Sequence, residues 1–251
     1  MTDEPLAGKA AVVTGAARNI GRAIALRLAA DGCAVLACAN TDAGGAAETV
    51  SLIERAGGRA VAHIADITDE DAVAGLAQAA ADAFGRIDML VNNAAIRDHR
   101  PLVEMTLADW RRVTAVILDG AFLCARACVS HMIAAGGGAI VNIGGLAGHL
   151  GDADRAHVVT AKAGLVGLTR ALAAELGQHG ITANCVVPGS IRTDRGASAS
   201  TPGRHVERTG ALVARPGAPD DIAATVAHLC RPEGGYITGQ TIHVNGGRFL
   251  T

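Results

Sequence analysis

The sequence predicts an α/β fold: one doubly wound domain over residues 1–251, whose seven-stranded parallel sheet carries helices on both faces. Three observations predict it. Apolar strand-like runs alternate with amphipathic helical stretches from end to end, the rhythm of βαβ units. The strand runs, such as Val35-Leu36-Ala37-Cys38 and Met89-Leu90-Val91, are almost continuously apolar, as burial on both faces requires. The first of them feeds a glycine-containing turn that opens an alanine-rich helix. Two small domains would also fit 251 residues, but the even composition, without repeat or low-complexity linker, favours one.

Strands are expected near 9–14, 33–39, 59–65, 87–92, 138–144, 181–187 and 240–244, with helices between them. After the first strand comes Thr14-Gly15-Ala16-Ala17-Arg18-Asn19-Ile20-Gly21. A strand entering a helix through such a turn aims free backbone N–H groups and the positive helix end at one point, which suits a pyrophosphate. Gly15 reverses the chain and Gly21 lets helix and strand approach closely. Asn19 stands where the usual fingerprint has its middle glycine, and Asn enters the left-handed region more readily than other non-glycine residues.

The second strand should end beside an adenosine ribose, where a carboxylate selects NAD and a basic group the 2′-phosphate of NADP. Ala39, Asn40 and Thr41 offer neither, a slight lean toward NADP, and Asp42 caps the next helix. Asp66, followed by Ile67, either accepts a hydrogen bond from adenine or caps a helix. Asn92-Asn93-Ala94-Ala95 ends the fourth strand at the carboxyl edge of the sheet, where open α/β folds bind ligands. Arg97-Asp98-His99-Arg100 then crowds four ionisable groups into a loop lining the same crevice.

Half of the chain is apolar while aromatic residues make up 2%, so the core must be aliphatic. A formal charge of -2 leaves no electrostatic footprint for nucleic acid or an anionic membrane. The six cysteines show no C-x-x-C spacing and read as small buried hydrophobes. Cys124 and Cys128 share a helix face, but no nearby His pair makes a metal site of them, and no metal is expected. Residues 1–9 lack the charged-then-apolar order of a signal peptide and no apolar run approaches membrane-spanning length, which points to a cytoplasmic protein without a membrane partner.

Further motifs complete a pattern: Val141-Asn142-Ile143, Lys162-Ala163-Gly164, Asn184 with Pro188-Gly189 and Thr193, and Ile237-Thr238-Gly239-Gln240 with Val244-Asn245-Gly246-Gly247. Together with Thr14-Gly15, Gly21, Asp66 and Asn92-Asn93-Ala94, in this order and at these separations, they resemble the short-chain dehydrogenase/reductase family over almost the whole chain. The resemblance implies a single Rossmann-type domain binding NADP or NAD and acting on a small-molecule substrate. It also implies a homo-oligomer, tetramer or dimer, assembled through two long helices running here from about 108 to 135 and 153 to 178. The cofactor contacts it implies are Gly15, Arg18, Asn19, Ile20, Gly21, Asn40, Asp66, Ile67, Asn93, Ala94, Lys162, Pro188, Gly189, Ile191 and Thr193.

The family's chemistry rests on an Asn, a Ser, a Tyr and a Lys, and here three of them are replaced. Lys162 is present, but four residues before it stands Val158; the serine place reads Gly144-Gly145; Ile117 takes the asparagine place. In hydride transfer to a carbonyl the phenol supplies the proton, help worth about 10² to 10⁴ in rate. Valine supplies none. His157, one residue from the vacant place, points there only if its helix starts late or its first turn is distorted. His149 lies in the loop over the substrate, His99 in the fourth-strand loop, and Arg155 shares a helix face with Val158, Val159 and Lys162. Tyr236 has no route to the crevice, and residues 190–205 read as a lid in which Arg192, Arg195 and Arg204 meet an acidic substrate or solvent.

Three functions are therefore open. The first is an NAD(P)-dependent oxidoreductase on a CH–OH or carbonyl group with a non-standard proton donor, with Lys162, His157 and His149 as the catalytic candidates. The second is a cofactor-binding lyase or isomerase without net hydride transfer. The third is a non-catalytic nucleotide-binding subunit.

Overall fold

A computed structural model describes residues 4–193 and 210–251. Seven strands, β1 (Ala10–Thr14), β2 (Ala34–Ala39), β3 (Ala60–Ile64), β4 (Met89–Asn92), β5 (Gly138–Ile143), β6 (Ile181–Pro188) and β7 (Thr241–Val244), form one sheet in the order β3-β2-β1-β4-β5-β6-β7. All six pairings are parallel. The chain builds outward from β1 to β3, then crosses back to place β4 on the other side of β1. That reversal opens a crevice at the carboxyl ends of β1 and β4.

Side chains alternate between two buried faces. Ala11 and Val13 of β1 and Val35 and Ala37 of β2 pack with α1 (Asn19–Ala30) and α8 (Pro219–Cys230), through Ile24, Leu28, Ile222 and Val226. Val12 and Leu36 point the other way, onto α3 (Glu70–Phe84) and α5 (Gly120–Ala134), through Leu76, Ala80, Cys124 and Cys128. A two-residue period with no polar face is what a sheet covered on both sides demands. Arg231, at the end of α8, clasps the carboxylate of Asp31, at the end of α1, at 2.9 and 2.6 Å. The helix α2 (Ala43–Arg55) starts on Asp42, whose carboxylate accepts from the Gly45 N–H at 2.9 Å, the capping role expected of it.

The two long helices occupy nearly the expected ranges, with one departure. The first is broken into α4 (Leu107–Thr114), a π-helical turn (Ala115–Asp119) and α5. The second, α7 (Ala156–Leu176), follows the single-turn α6 (Ala147–Leu150). The expectation that no apolar run approaches membrane-spanning length is corrected here. The run 107–134, 28 residues with a mean hydropathy of 1.7 over its most apolar window, is long and apolar enough to cross a bilayer. Core packing accounts for that apolarity: Val113, Ile117 and Ala121 meet α7, and Cys124, Cys128 and Met132 meet the sheet.

An added Cβ at Gly21 would lie 2.1 Å from the Gly15 carbonyl oxygen. Gly21→Ala must therefore push α1 away from the turn. Overpacking of this kind costs about 1–3 kcal/mol, and the expected result is a lowered thermal midpoint, measured by calorimetry.

Candidate active site

The turn between β1 and α1 is built as its residues require. Gly15 (φ 64°) and Asn19 (φ 52°) both occupy the left-handed region, Asn19 being one of only two such non-glycine residues among those described. Arg18, extended and exposed, precedes the first helical residue. Ile20 buries its side chain in the core, leaving its backbone for an anion at the helix start.

Asn93 locks this turn to β4: its Nδ2 donates to the carbonyls of Thr14 and Gly15 at 2.9 and 3.0 Å. The Thr14 hydroxyl accepts from the N–H groups of Asn93 and Ala94 at 3.0 and 3.1 Å and donates to the Val91 carbonyl. Behind it, Asn92 donates to the Asn142 side chain at 2.9 Å, and Asn142 donates to the Thr169 hydroxyl at 2.9 Å. This amide chain ties β4 to β5 and to α7.

At the adenosine end Asn40 is exposed just past β2, and Asp66 is exposed just past β3. The Asp66 carboxylate accepts from the backbone and hydroxyl of Thr68 at 2.9 and 2.7 Å. Those bonds, with a further one from Asn40, hold its pKa below the usual carboxylate range. Of the two roles open to Asp66, capping falls to Asp69, which accepts from the Ala72 N–H at 2.8 Å. Ile67 is buried beneath, where it fills the space against Gly120.

At the other end Pro188 closes β6, and the Gly189 N–H donates to the Val244 carbonyl at 3.0 Å. A Cβ on Gly189 would meet Asn245 Cα at 2.6 Å, so the chain passes too close for a side chain. Ile191 bridges to Gly217, and Thr193 ends the first described stretch. Arg192 is described; Arg195, Arg204 and most of the expected lid lie outside the described residues.

Lys162 rises from the middle of α7, is 8% exposed, and donates from Nζ to the Ile143 carbonyl at 2.5 Å. Burial, with smaller help from Arg97 and Arg155, lowers its pKa to about 8. Near it lie the residues that the resemblance sets at the places of the family's Asn, Ser and Tyr. Ile117 and Val158 are buried in one apolar cluster with Val113, Ala161 and Leu165. Gly144 admits no side chain, since a Cβ would lie 2.9 Å from Cys185 Sγ, whereas a Cβ on Gly145 would meet Lys162 Cγ at an ordinary 3.4 Å.

The histidines do not gather at the gap. α7 starts on Arg155, so His157 falls in its first turn and is fully buried. Its Nδ1 accepts from the Val158 N–H at 2.9 Å, and Nε2 lies 4.0 Å from Asp98 Oδ2. As a substrate-contacting group His157 is corrected: it has no exposed surface and backs the fourth-strand loop. His149 turns to partners that sequence reading missed, stacking edge-on against His243 at 4.6 Å, with Phe249 at 5.8 Å. Burial lowers the pKa of both imidazoles. Nothing local in the sequence connects residue 149 with residue 243; only the return of β7 to the sheet edge does. His99 is exposed in its loop and Tyr236 is fully exposed on its turn.

The family described as enoyl-(acyl carrier protein) reductase matches residues 15–248. The chain is 42% identical over 246 residues to the short-chain reductase protein NovJ of Streptomyces niveus, covering 95% of this chain and 93% of that one. It is 41% identical over 242 residues to the (2S)-[(R)-hydroxy(phenyl)methyl]succinyl-CoA dehydrogenase subunit BbsD of Thauera aromatica, covering 96% and 97%. To the 3-oxoacyl-[acyl-carrier-protein] reductase FabG of Vibrio cholerae it is 36% identical over 245 residues, covering 98% and 99%. Among solved structures, a dehydrogenase/reductase of Sinorhizobium meliloti superposes with a TM-score of 0.92 at 41% identity, covering 99% of this chain and 98% of that one.

A lysine whose pKa falls from 10.5 to about 8 on folding makes the unfolded chain bind more protons between those values. Stability therefore rises with pH across that window, and the burden is full below it. Lys162→Met is expected to stabilise the protein near neutral pH, by at most about 3 kcal/mol, and to flatten the rise above pH 8. Urea denaturation at a series of pH values checks both signs.

Proposed function

Because the chain belongs to the short-chain dehydrogenase/reductase family, we propose that it is a cytoplasmic nicotinamide-dependent oxidoreductase in which the Lys162 ammonium moves the proton that a phenol ordinarily supplies. One observation carries this reading: Lys162, buried on α7 beside Gly145 and close to the carboxyl end of β5, has its pKa lowered to about 8, while Ile117, Gly145 and Val158 bring no titratable group.

The residues present fit the cofactor. The close contact that forbids a Cβ at Gly21 leaves the helix start open to a pyrophosphate, and Asp66 stays ionised opposite an adenine. Asn40 brings no carboxylate against a 2′-phosphate, and the exposed guanidinium of Arg18 supports NADP over NAD. Asn93, Ala94, Pro188, Gly189, Ile191 and Thr193 are the residues this reading assigns to the nicotinamide end. When bound there, the cofactor supplies or accepts the hydride.

The chain's own work is proton handling. Lys162 keeps one N–H on the Ile143 carbonyl and has two more to offer a substrate oxygen. A pKa close to the working pH makes it a better acid than an ordinary lysine. In reduction it gives a proton to the developing alkoxide; in oxidation its neutral amine takes one. Val158 and Ile117 wall the site with apolar surface and keep water from the reacting oxygen.

The relatives' names, a 3-oxoacyl reductase and a hydroxyacyl-CoA dehydrogenase, support a β-oxo or β-hydroxy acyl thioester as substrate. Exposed Phe122 and Ile133 on α5 support assembly as a homo-oligomer.

A second reading, a non-catalytic cofactor-binding subunit, draws on one packing fact: Ile117 and Val158 share a single apolar cluster. The relative named as a dehydrogenase subunit is in keeping with it.

NADPH oxidation with a six-carbon β-oxoacyl-CoA separates the two. Under the first reading the protein turns over alone, the rate of reduction falls as pH rises through about 8, and Lys162→Met costs about 10² or more. Under the second it binds NADPH without turnover, and only the Gly145→Ser, Val158→Tyr double variant reduces the substrate. A wild-type protein that neither binds nor oxidises NADPH overturns both.

A further inference from the structure

We propose that His149, His243 and Phe249 form an acid-sensitive latch that fastens the end of the chain to the short helix α6, closed while both imidazoles are neutral and opened when either takes a proton.

α6 is a single turn without a side-chain cap at its start. It lies so close on α7 that a Cβ at Gly148 would meet the Ala163 backbone nitrogen at 2.9 Å and Lys162 Cβ at 3.1 Å. The rings supply a second hold. His149 meets His243 of β7 edge-on at 4.6 Å, and Phe249 lies 4.9 Å from His243 and 5.8 Å from His149. Phe249 also packs with Leu146, just before α6, and with Val166 of α7. The turn that presents Phe249 is wound on Asn245, whose Nδ2 donates to the Phe249 carbonyl at 3.2 Å and whose Oδ1 accepts from the Gly247 N–H at 2.9 Å.

Each imidazole keeps one ring nitrogen, Nε2 of His149 and Nδ1 of His243, buried without a hydrogen-bond partner among the described residues. Protonation makes both nitrogens of a ring donors, so the hidden one would then carry an unsatisfied N–H of a charged group. No free acid is at hand to receive it. Neither α6 nor β7 carries another ionisable residue. Beyond α6, Asp152 is held by Arg155 at 2.8 Å. β6 brings Cys185, whose thiol burial pushes up to about 11, and α7 brings the cation of Lys162. The cavity that His243 lines adds Arg248 and the Arg215–Asp221 pair, bonded at 2.7 and 2.6 Å. Burial accordingly lowers the pKa of both imidazoles, and His149 lowers that of His243 further. A released ring titrates near 6.5 and a latched one below it, so the released form binds more protons and the latch weakens as pH falls through 6.5.

The test is amide hydrogen exchange of the whole protein, read by mass spectrometry at about pH 7.5 and about pH 5.5 and corrected for the intrinsic pH dependence of exchange. Peptides covering 146–151 and 243–251 are expected to open about tenfold more at the lower pH, the factor that one imidazole barred from protonation gives about one unit below its ordinary value. Peptides of β1 and β4 are expected to hold. The double variants His149→Phe with His243→Phe, which keeps two rings, and His149→Gln with His243→Gln are each expected to lose the pH dependence. In the wild type, NMR of the carbon-bound imidazole protons is expected to show both rings titrating below 6.5. Unchanged exchange in the two peptides, a change shared by β1 and β4, a pH dependence that survives in either double variant, or rings that titrate at or above 6.5 overturns the proposal. None of these readouts needs cofactor or substrate, so the latch and the oxidoreductase reading can fail independently.

Discussion

A single carboxamide holds the cofactor end of this molecule in shape. Asn93 spans from β4 to the carbonyls of Thr14 and Gly15, and the space a Cβ on Gly21 would need is bounded by that same Nδ2, at 2.5 Å. The turn, the first helix and the fourth strand are therefore one rigid unit. Because the crevice lies where β1 and β4 part, the clasp fixes its floor at the point where a dinucleotide would cross it. The Asn92–Asn142–Thr169 chain extends the constraint through β5 into α7, and so sets the height at which Lys162 stands.

On that frame the two halves of the site have diverged. The nucleotide half keeps Gly15 and Asn19 in the left-handed region and an aspartate, Asp66, held ionised by the bonds it accepts from Thr68. In the other half Ile117 and Val158 belong to an aliphatic cluster, and Lys162 beside it is poorly solvated and lowered in pKa for that reason. Its ammonium keeps the Ile143 carbonyl as its acceptor, and burial is the main cause of its lowered pKa.

Much of the fold was legible because burial on both faces leaves a mark that needs no tertiary information. The runs at 34–39 and 89–92 contain no polar residue before their last position, so their ends could be placed within one or two residues. The helix caps at Asp42 and Asp69 illustrate the limit. Both are local, but sequence reading weighs the cap at Asp66 and does not name Asp69, and only the structure shows Asp66 hooked onto Thr68 while Asp69 caps the helix. The length and apolarity of 107–134 misled in the opposite way. Short runs split by Asp109, Arg111, Arg112 and Asp119 conceal a single helical run, joined through a π turn.

The amino-acid order by itself determined the sheet, the phosphate turn and the absence of a tyrosine beside Lys162, since each depends on residues adjacent in the chain or on a fixed helical spacing. Only the tertiary structure decided where the ionisable groups point. His157 turned inward because α7 begins at Ala156 and takes His157 into its first turn, where a rotation of about 100° per residue separates one helix face from the next. His149 found His243 and Phe249 because the last strand returns beside the sixth, and the loops that carry Arg97 and Arg155, far apart in sequence, meet through the bond from the Arg100 N–H to the Asp154 carbonyl. Long-range juxtaposition carries no local periodicity, so no reading of the chain in order could have supplied it.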